Sequence, residues 1–511
     1  MKKALVRLWH GTALLLCAVL ILSACSTGKN GGAKGEGTTA AGTKIAGSET
    51  EELKPVELLW YYPIGVQQPD QKTIEEAVNK ITKEKINTTI KMNAIDFGSY
   101  EQKMNTMVAA NEAIDIIWTS SWNFKMDQNV AKGVFIPLDD LINEYAPKLK
   151  SSRPETIWNF TKQNDKIYGV LSYQTVTNRT GYLVQKRYAE KYGLNPEDIK
   201  TPGDMDPFFA KLKAGEQDVV PLATNRIGLF NFIHSILEPV APSLPGVSIY
   251  RQDESLKLVS TYEMPEFKDL LTLLHDWYNK GYINQDAATA KSVADLQASG
   301  KVASIFHNVL KPGREGEEKQ AMGGNEVIAV YTSEPYLQAY SLSSAMGISQ
   351  NSKNPERAMM FLELLNSDKE LFNLISYGIE GQHYTKLDEE HVKSNADAGY
   401  APNQSWVFGN VFNSYLQEGQ PSGTWEETQK QNETAPVSYL TGFSFDLEPV
   451  KTEVANMKSV FDEYMPALTT GTVSPAEKYD EFINKYKKAG LEKVITEVQR
   501  QLDEWKTRQG K

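Results

Sequence analysis

From residue 55 onward, apolar positions alternate between two rhythms, one of strands and one of helices. Val56–Tyr62 is a short apolar and aromatic run that predicts a buried strand, stopped by Pro63 and Gly65. Asp70–Ile86 follows with Ile74, Val78 and Ile81 at helical spacing. Thr88–Ala94 places Ile90, Met92 and Ala94 on one face, Tyr100–Ala110 predicts a helix, and Ile114–Trp118 predicts another buried strand. Strand–helix–strand–helix–strand over about sixty residues predicts parallel βαβ units. In such sheets ligands sit beyond the carboxyl ends of the strands, so the loops Trp60–Gln67 and Trp118–Phe124 are the candidate binding loops. The far end of the chain is helical by period. Val454, Met457, Val460, Phe461 and Tyr464 share one side of 446–464, and Ser474-Pro475-Ala476-Glu477 has the form of a capping box. Tyr479, Phe482, Ile483 and Tyr486, then Leu491, Ile495, Val498, Leu502 and Trp505, continue these stripes, which predict helices packed on a lobe.

The first 54 residues break both rhythms. Met1–His10 carries Lys2, Lys3 and Arg7 with no acid, and Gly11–Leu22 is almost wholly apolar. That run is too short for a spanning helix, which needs roughly 20 apolar residues, and predicts a secretory signal over 1–24. Leu22-Ser23-Ala24-Cys25 resembles the lipobox of bacterial lipoproteins. The resemblance implies that Cys25 becomes the first mature residue, lipidated (palmitate among its acyl chains) and held on the extracellular face of the cytoplasmic membrane. Gly, Ser, Thr, Ala and Lys dominate 25–54, which predicts a flexible tether. The other cysteine, Cys17, lies inside the predicted signal, so an exported mature chain would hold together by its core and without a disulfide.

Charge and motifs narrow the function. The net charge of −11 falls further once the basic leader is removed, and no basic cluster with interleaved aromatics is present, which argues against nucleic acid. The six histidines (10, 234, 275, 307, 383 and 391) show no metal-ligand spacing. No G-x-S-x-G elbow or Gly-rich phosphate cradle occurs, so neither a cofactor nor a metal is expected. Acid pairs such as Asp139–Asp140 and Glu426–Glu427 keep a glycoside hydrolase or lyase open as a rival, although adjacent carboxylates are mostly solvated faces. Nine Trp and 24 Tyr are more than a plain α/β core requires and suit wet apolar surfaces such as sugar sites.

The order of several short pieces resembles the family 1 extracellular solute-binding proteins of ABC importers. The pieces are Asp115-Ile116-Ile117, Pro137-Leu138-Asp139-Asp140-Leu141, Ile167-Tyr168-Gly169, Lys191-Tyr192-Gly193-Leu194 and Asn354-Pro355-Glu356-Arg357-Ala358. Tyr377–Tyr384 and Phe443-Ser444-Phe445-Asp446 resemble the longer lipoprotein branch, which has an extra carboxyl-terminal domain of unassigned role. The resemblance implies an α/β, two-lobed periplasmic-binding-protein-like fold (type II) with a helical extension. It assigns 55–178 plus about 303–340 to lobe 1, 179–302 plus about 341–445 to lobe 2, and 446–511 to the extension. It further implies a non-enzymatic monomer that captures a small solute, an oligosaccharide, by hinge closure and hands it to the transmembrane permease subunits of an ABC importer. A sugar-sensing lipoprotein that presents its ligand to a sensor kinase is the other alternative.

A sugar site needs aromatic platforms for its C–H faces and amide, carboxylate or guanidinium partners for its hydroxyls. The first candidate loop offers Tyr61, Tyr62 and Gln67, and the second offers Trp118, Ser120 and Trp122. Near the expected hinge lie Tyr173, Gln174 and Arg179. The family order adds His307, Glu334 and Tyr336 near the crossings. Trp60 and Trp118 sit inside strand-like runs and favour the core, as does Trp277 in a helical stripe; Tyr62 and Trp122 are the expected platforms.

Overall fold

A computed structural model describes residues 53–510 apart from 341 and 396. The predicted signal, Cys25 and all of the tether but its last two residues lie outside the described residues. From Leu53 onward the chain forms one compact unit, and its two largest sheets, of five and four strands, are accompanied by three smaller ones.

The first sheet begins as the apolar rhythm predicts. Strand β1 (Val56–Ile64) buries Leu58, Trp60 and Tyr62 on one face, and helix α1 (Gln71–Ile86) covers that lobe's core with Ile74 and Val78. Asn87 ends α1 in the left-handed region (φ 46°), and the chain turns directly into β2 (Thr88–Asp96), parallel to β1. Asp96 then caps α2 (Phe97–Ala109) by accepting from the Gly98 N–H, and β3 (Ile116–Thr119) returns parallel to β1. After a run of short helices, β4 (Val170–Leu171) leads into a crossing at 172–180.

The second sheet holds β5 (Gly181–Gln185), β6 (Val220–Ala223), β7 (Val302–His307) and β8 (Val327–Tyr331), in the order β8-β5-β7-β6. Between β6 and β7 lies α3 (Pro265–Asn279), whose Leu270, Leu274 and Trp277 are buried, so Trp277 is core as expected. The chain then crosses back over 332–344, and β9 (Ala345–Ile348) joins the first sheet between β3 and β4, antiparallel to both. Helix α4 (Pro355–Ser367) packs Met359, Phe361, Leu362 and Leu365 into that first core. Helix α5 (Thr424–Thr434) lies along the first crossing, where Asn432 exchanges hydrogen bonds with Gln174 O and Val176 N–H.

This topology corrects the lobe boundaries expected from sequence. Residues 302–331 belong to the second sheet, where Ser304–Phe306 and Ile328–Val330 both pair with β5, and 345–434 belong to the first lobe. Motif order tells which strands exist but not which sheet they join, and 302–307 and 345–348 are equally short and apolar.

The tail returns to the second lobe. Helices α6 (Lys451–Thr469), α7 (Pro475–Lys488) and α8 (Leu491–Gln509) share one core with Leu237, Val247, Tyr262 and Phe267. The Tyr262 ring meets Phe461, Phe482 and Tyr486, and the Tyr479 hydroxyl donates to Tyr262 O at 2.8 Å. Ser474 marks the start of α7 through its carbonyl, which accepts from Glu477 and Lys478 N–H; its side chain makes no capping bond, so the expected capping box does not form. The whole tail is therefore a buttress on the second lobe.

Candidate functional site

Because β1, β2, β3 and β4 run parallel and β9 runs against them, one edge of the first sheet collects four carboxyl ends and the start of β9. Three aromatic rings gather there. Phe97, directly after β2, lies 5.8 Å from Trp122 at an interplanar angle of 23° and 5.7 Å from Trp406 at 15°. Trp122 and Trp406 are themselves 6.3 Å apart at 38°. Beneath this near-parallel triangle stands Trp118, fully buried and edge-on to all three, at 88° to Phe97, 73° to Trp122 and 74° to Trp406. The arrangement is a cluster of stacked and tilted rings propped on a perpendicular indole, with Trp122 its exposed member.

Main-chain and hydroxyl groups fix each ring. The Trp118 indole N–H donates to Ser344 Oγ at 2.7 Å. Ser120 Oγ accepts from the N–H groups of Trp122 and Asn123, closing the turn that presents Trp122, whose side chain is 51% exposed. The Trp122 indole N–H reaches Ser343 O at 3.0 Å, on the second crossing. Gln174, on the first crossing, donates through Nε2 to Ser343 Oγ and Trp406 O, both at 3.2 Å. The loop that carries Trp406 is held by Gln404, only 4% exposed, which accepts from Gly65 N–H at 3.0 Å and donates to Pro63 O at 2.8 Å. Its amide pairs with the end of β1 much as a neighbouring strand would.

On the second lobe, β6 and β7 are parallel and β7 ends opposite Gly181, beside the first crossing. Their carboxyl ends therefore turn toward the first lobe, and the turn after β6 exposes Arg226 and Ile227. Lys125 of the first lobe donates to Pro242 O of the second, at 3.5 Å.

The expected site residues divide. Trp122 is exposed, as a platform for a ligand would have to be. Tyr62 is not: it is fully buried, packed on Trp60 and Phe408, with its hydroxyl held by Gln71 Nε2 at 2.8 Å. A period of two turns Trp60 and Tyr62 to the same buried face, which is the physical reason. Tyr61, on the other face, is half-buried, and Gln67 is exposed in the following loop. Trp118 and Ser120 are buried supports of the platform. Tyr173 is buried against Phe412 and the Arg153 guanidinium, so it is core. Arg179 lies 3.5 Å over the Tyr331 ring and donates to Ser333 O, bracing the two crossings. His307 accepts at Nδ1 from Val309 N–H, and burial holds its imidazole down at about 3. Glu334 is exposed on the second crossing. Tyr336 is buried and donates to Glu238 at 2.9 Å beneath the Arg251 guanidinium, which makes it a structural anchor of that crossing. Phe97 and Trp406 were missed. Phe97 sits three residues beyond the end of the predicted Thr88–Ala94 strand and directly after the observed one, which was an available signal; Trp406 lies far along the chain in an irregular loop and had none.

Two α/β lobes joined by crossing segments, with an aromatic surface where the strands of one lobe end, define a solute-binding protein. The chain belongs to the bacterial extracellular solute-binding protein family, whose model matches residues 76–377. The tail, residues 439–507, matches a domain described as of unknown function. A carbohydrate ABC transporter substrate-binding protein of Streptococcus pneumoniae is 28% identical over 460 residues, covering 88% of this chain and 91% of the relative. The solved N-glycan transport solute-binding protein NgtS of the same organism is similar over 88% of this chain and 99% of its own, with a TM-score of 0.76 and 25% identity. Its complex with Man5GlcNAc matches at 27% identity and TM-score 0.73, covering 89% of this chain and 99% of that one. The alginate-binding protein AlgQ2, at 16% identity and TM-score 0.61 over 88% of this chain and 98% of its own, shares the fold.

Proposed function

We propose that the protein captures an oligosaccharide between its two lobes and delivers it to an ABC importer. The observation that carries this reading is the three-ring surface of Phe97, Trp122 and Trp406, braced by Trp118. Sugar rings carry apolar C–H faces that such a surface accepts, while Gln174 and the Ser343 hydroxyl at its border suit their hydroxyls. Carbohydrate importer components among the relatives support the same ligand class. A ligand touching both lobes favours their closed arrangement over the open one, which is the signal a permease can read. Membership of a binding-protein family supports a role without catalysis, as well as an extracellular site of action. The lipobox-like sequence ending at Cys25 supports a lipid anchor.

Intrinsic tryptophan fluorescence tests the reading, because Trp122 and Trp406 are two of the three rings that would meet the sugar. Titration with a panel of oligosaccharides, including mannosyl-N-acetylglucosamine glycans, should give saturable shifts with the sugar recovered intact. Shortened sugar would replace the receptor with a glycoside hydrolase, and silence across the panel from folded protein would overturn the carbohydrate assignment. For the anchor, Cys25→Ser should move the protein from the membrane fraction to the medium; retention on the membrane would refute lipidation at that residue.

A further inference from the structure

The tail touches the second lobe at the turn that follows the carboxyl end of β6, one of the strand ends that face the first lobe. Thr469 is the last residue of α6, and its carbonyl accepts from Leu229 N–H at 3.0 Å. Its hydroxyl donates to Met465 O at 2.7 Å and lies 3.3 Å from Ile227 O. Gly228, at φ +66°, makes this approach possible: a Cβ there would stand 2.2 Å from Thr469 Oγ1 and 2.6 Å from Thr469 O. Two residues on, Gly471 (φ +75°) presses against α3, where a Cβ would stand 2.1 Å from Leu274 O, and its carbonyl lies 2.8 Å from His275 Nδ1. The 469–471 turn is thus wedged between α3 and the 225–229 turn. The other holds on that turn are Ile227 N–H to Asn225 Oδ1, Gly228 N–H to Asn225 O, Arg226 N–H to Ala290 O, Asn225 Nδ2 to Lys291 O, and the Leu229 side chain in the second lobe's core. What it displays is Arg226, exposed, and Ile227, 62% exposed, beyond the carboxyl end of β6.

We propose that the carboxyl-terminal domain is a positioning device for ligand recognition: through Thr469 and Gly228 it sets the 225–229 turn, whose Ile227 and Arg226 meet the sugar opposite the aromatic surface. An aliphatic side chain beside a guanidinium suits the same ligand chemistry, a C–H face flanked by hydroxyls. The inference rests on the cleft reading above and adds a role for residues that themselves stand outside the cleft. Sites of this kind lose affinity when their support shifts by a fraction of an ångström.

The test uses the mature protein and whichever panel oligosaccharide gives the largest fluorescence change. Gly228→Ala drives a methyl into Thr469, and Gly471→Ala pushes the tail's turn off α3 from a position outside the cleft. Both should weaken binding by about tenfold or more, with far-UV circular dichroism unchanged. Trp122→Ala serves as the control for the cleft itself. Trp122→Ala weakened with both glycine variants folded and binding normally overturns this inference alone; a wild-type chain silent across the panel overturns both readings. Hydrogen exchange on the wild type covers the case in which the variants fail to fold. The Leu229 amide should exchange slowly, in step with the amides of α6, and exchange at the rate of an open loop would refute the tail's hold on the turn.

Discussion

Trp122→Ala separates binding from folding more sharply than any other substitution in the cleft. A tryptophan side chain presents about 200 Å², and 51% exposure leaves roughly 100 Å² open to a ligand. Covering that area at ~25 cal/mol per Å² is worth about 2.5 kcal/mol at most, so removing the ring should weaken oligosaccharide binding by up to roughly 70-fold. The folded state loses less. It gives up one indole hydrogen bond to Ser343 O and ring contacts with Phe97, Trp118 and Trp406, about 1–2 kcal/mol. Trp118→Ala should behave in the opposite way. Its ring is fully buried beneath the other three, and its loss should cost about 3–5 kcal/mol of stability. Isothermal titration with the best panel sugar and urea unfolding of both variants give the two numbers for each. If Trp122→Ala binds as tightly as the wild type, sugar does not rest on this surface and the reasoning fails at its first step.

Other perturbations reach the supports around the cleft. Gln404→Ala removes two main-chain bonds at the end of β1 and leaves the buried Pro63 carbonyl unpaired, at about 1–3 kcal/mol; both the urea midpoint and the sugar affinity should fall, and an unchanged affinity would remove Gln404 from the positioning of Trp406. Glu238 is buried and accepts from the Tyr336 hydroxyl and the Ala339 N–H, so Glu238→Ala should cost about 1–3 kcal/mol by leaving these donors unpaired; an unaltered urea midpoint would refute that. His234 and His307 are held down from 6.5 to about 4 and about 3, chiefly by burial. The unfolded chain takes up protons below about 6.5 that the folded chain refuses, so both contribute a loss of stability as pH falls from 6.5 toward 3–4 and none above. His307→Asn should therefore flatten the fall in urea midpoint between pH 6.5 and 4, and a slope equal to the wild type's would show that His307 is not buried in its neutral form.

Local periodicity carried much of the fold into view. The β1–α1–β2–α2–β3 succession, the burial of Trp60, Trp118 and Trp277 and the three tail helices all follow from side chains that must face a core within a few residues of one another. Sheet membership did not follow, since 302–307 and 345–348 look alike in sequence and choose their sheet through partners about eighty residues or more away. The site was half legible for the same reason. Trp122 was readable because it closely follows a strand end. Trp406 reaches the same surface because Gln404 ties an irregular loop to a strand some 340 residues earlier and Gln174 holds its carbonyl from the first crossing. Tyr62 was misread because an aromatic in a strand looks the same whichever face it turns to.

The cluster of indoles under the cleft also has an optical consequence. Trp118, Trp122 and Trp406 lie within 6.5 Å of one another, close enough for their electronic transitions to couple. Three chromophores so placed absorb as a set, and near-ultraviolet circular dichroism reads their relative orientation. A sugar settling on Trp122 and Trp406 would turn those rings against the fixed Trp118, so the cleft carries its own unlabelled spectroscopic reporter of occupancy.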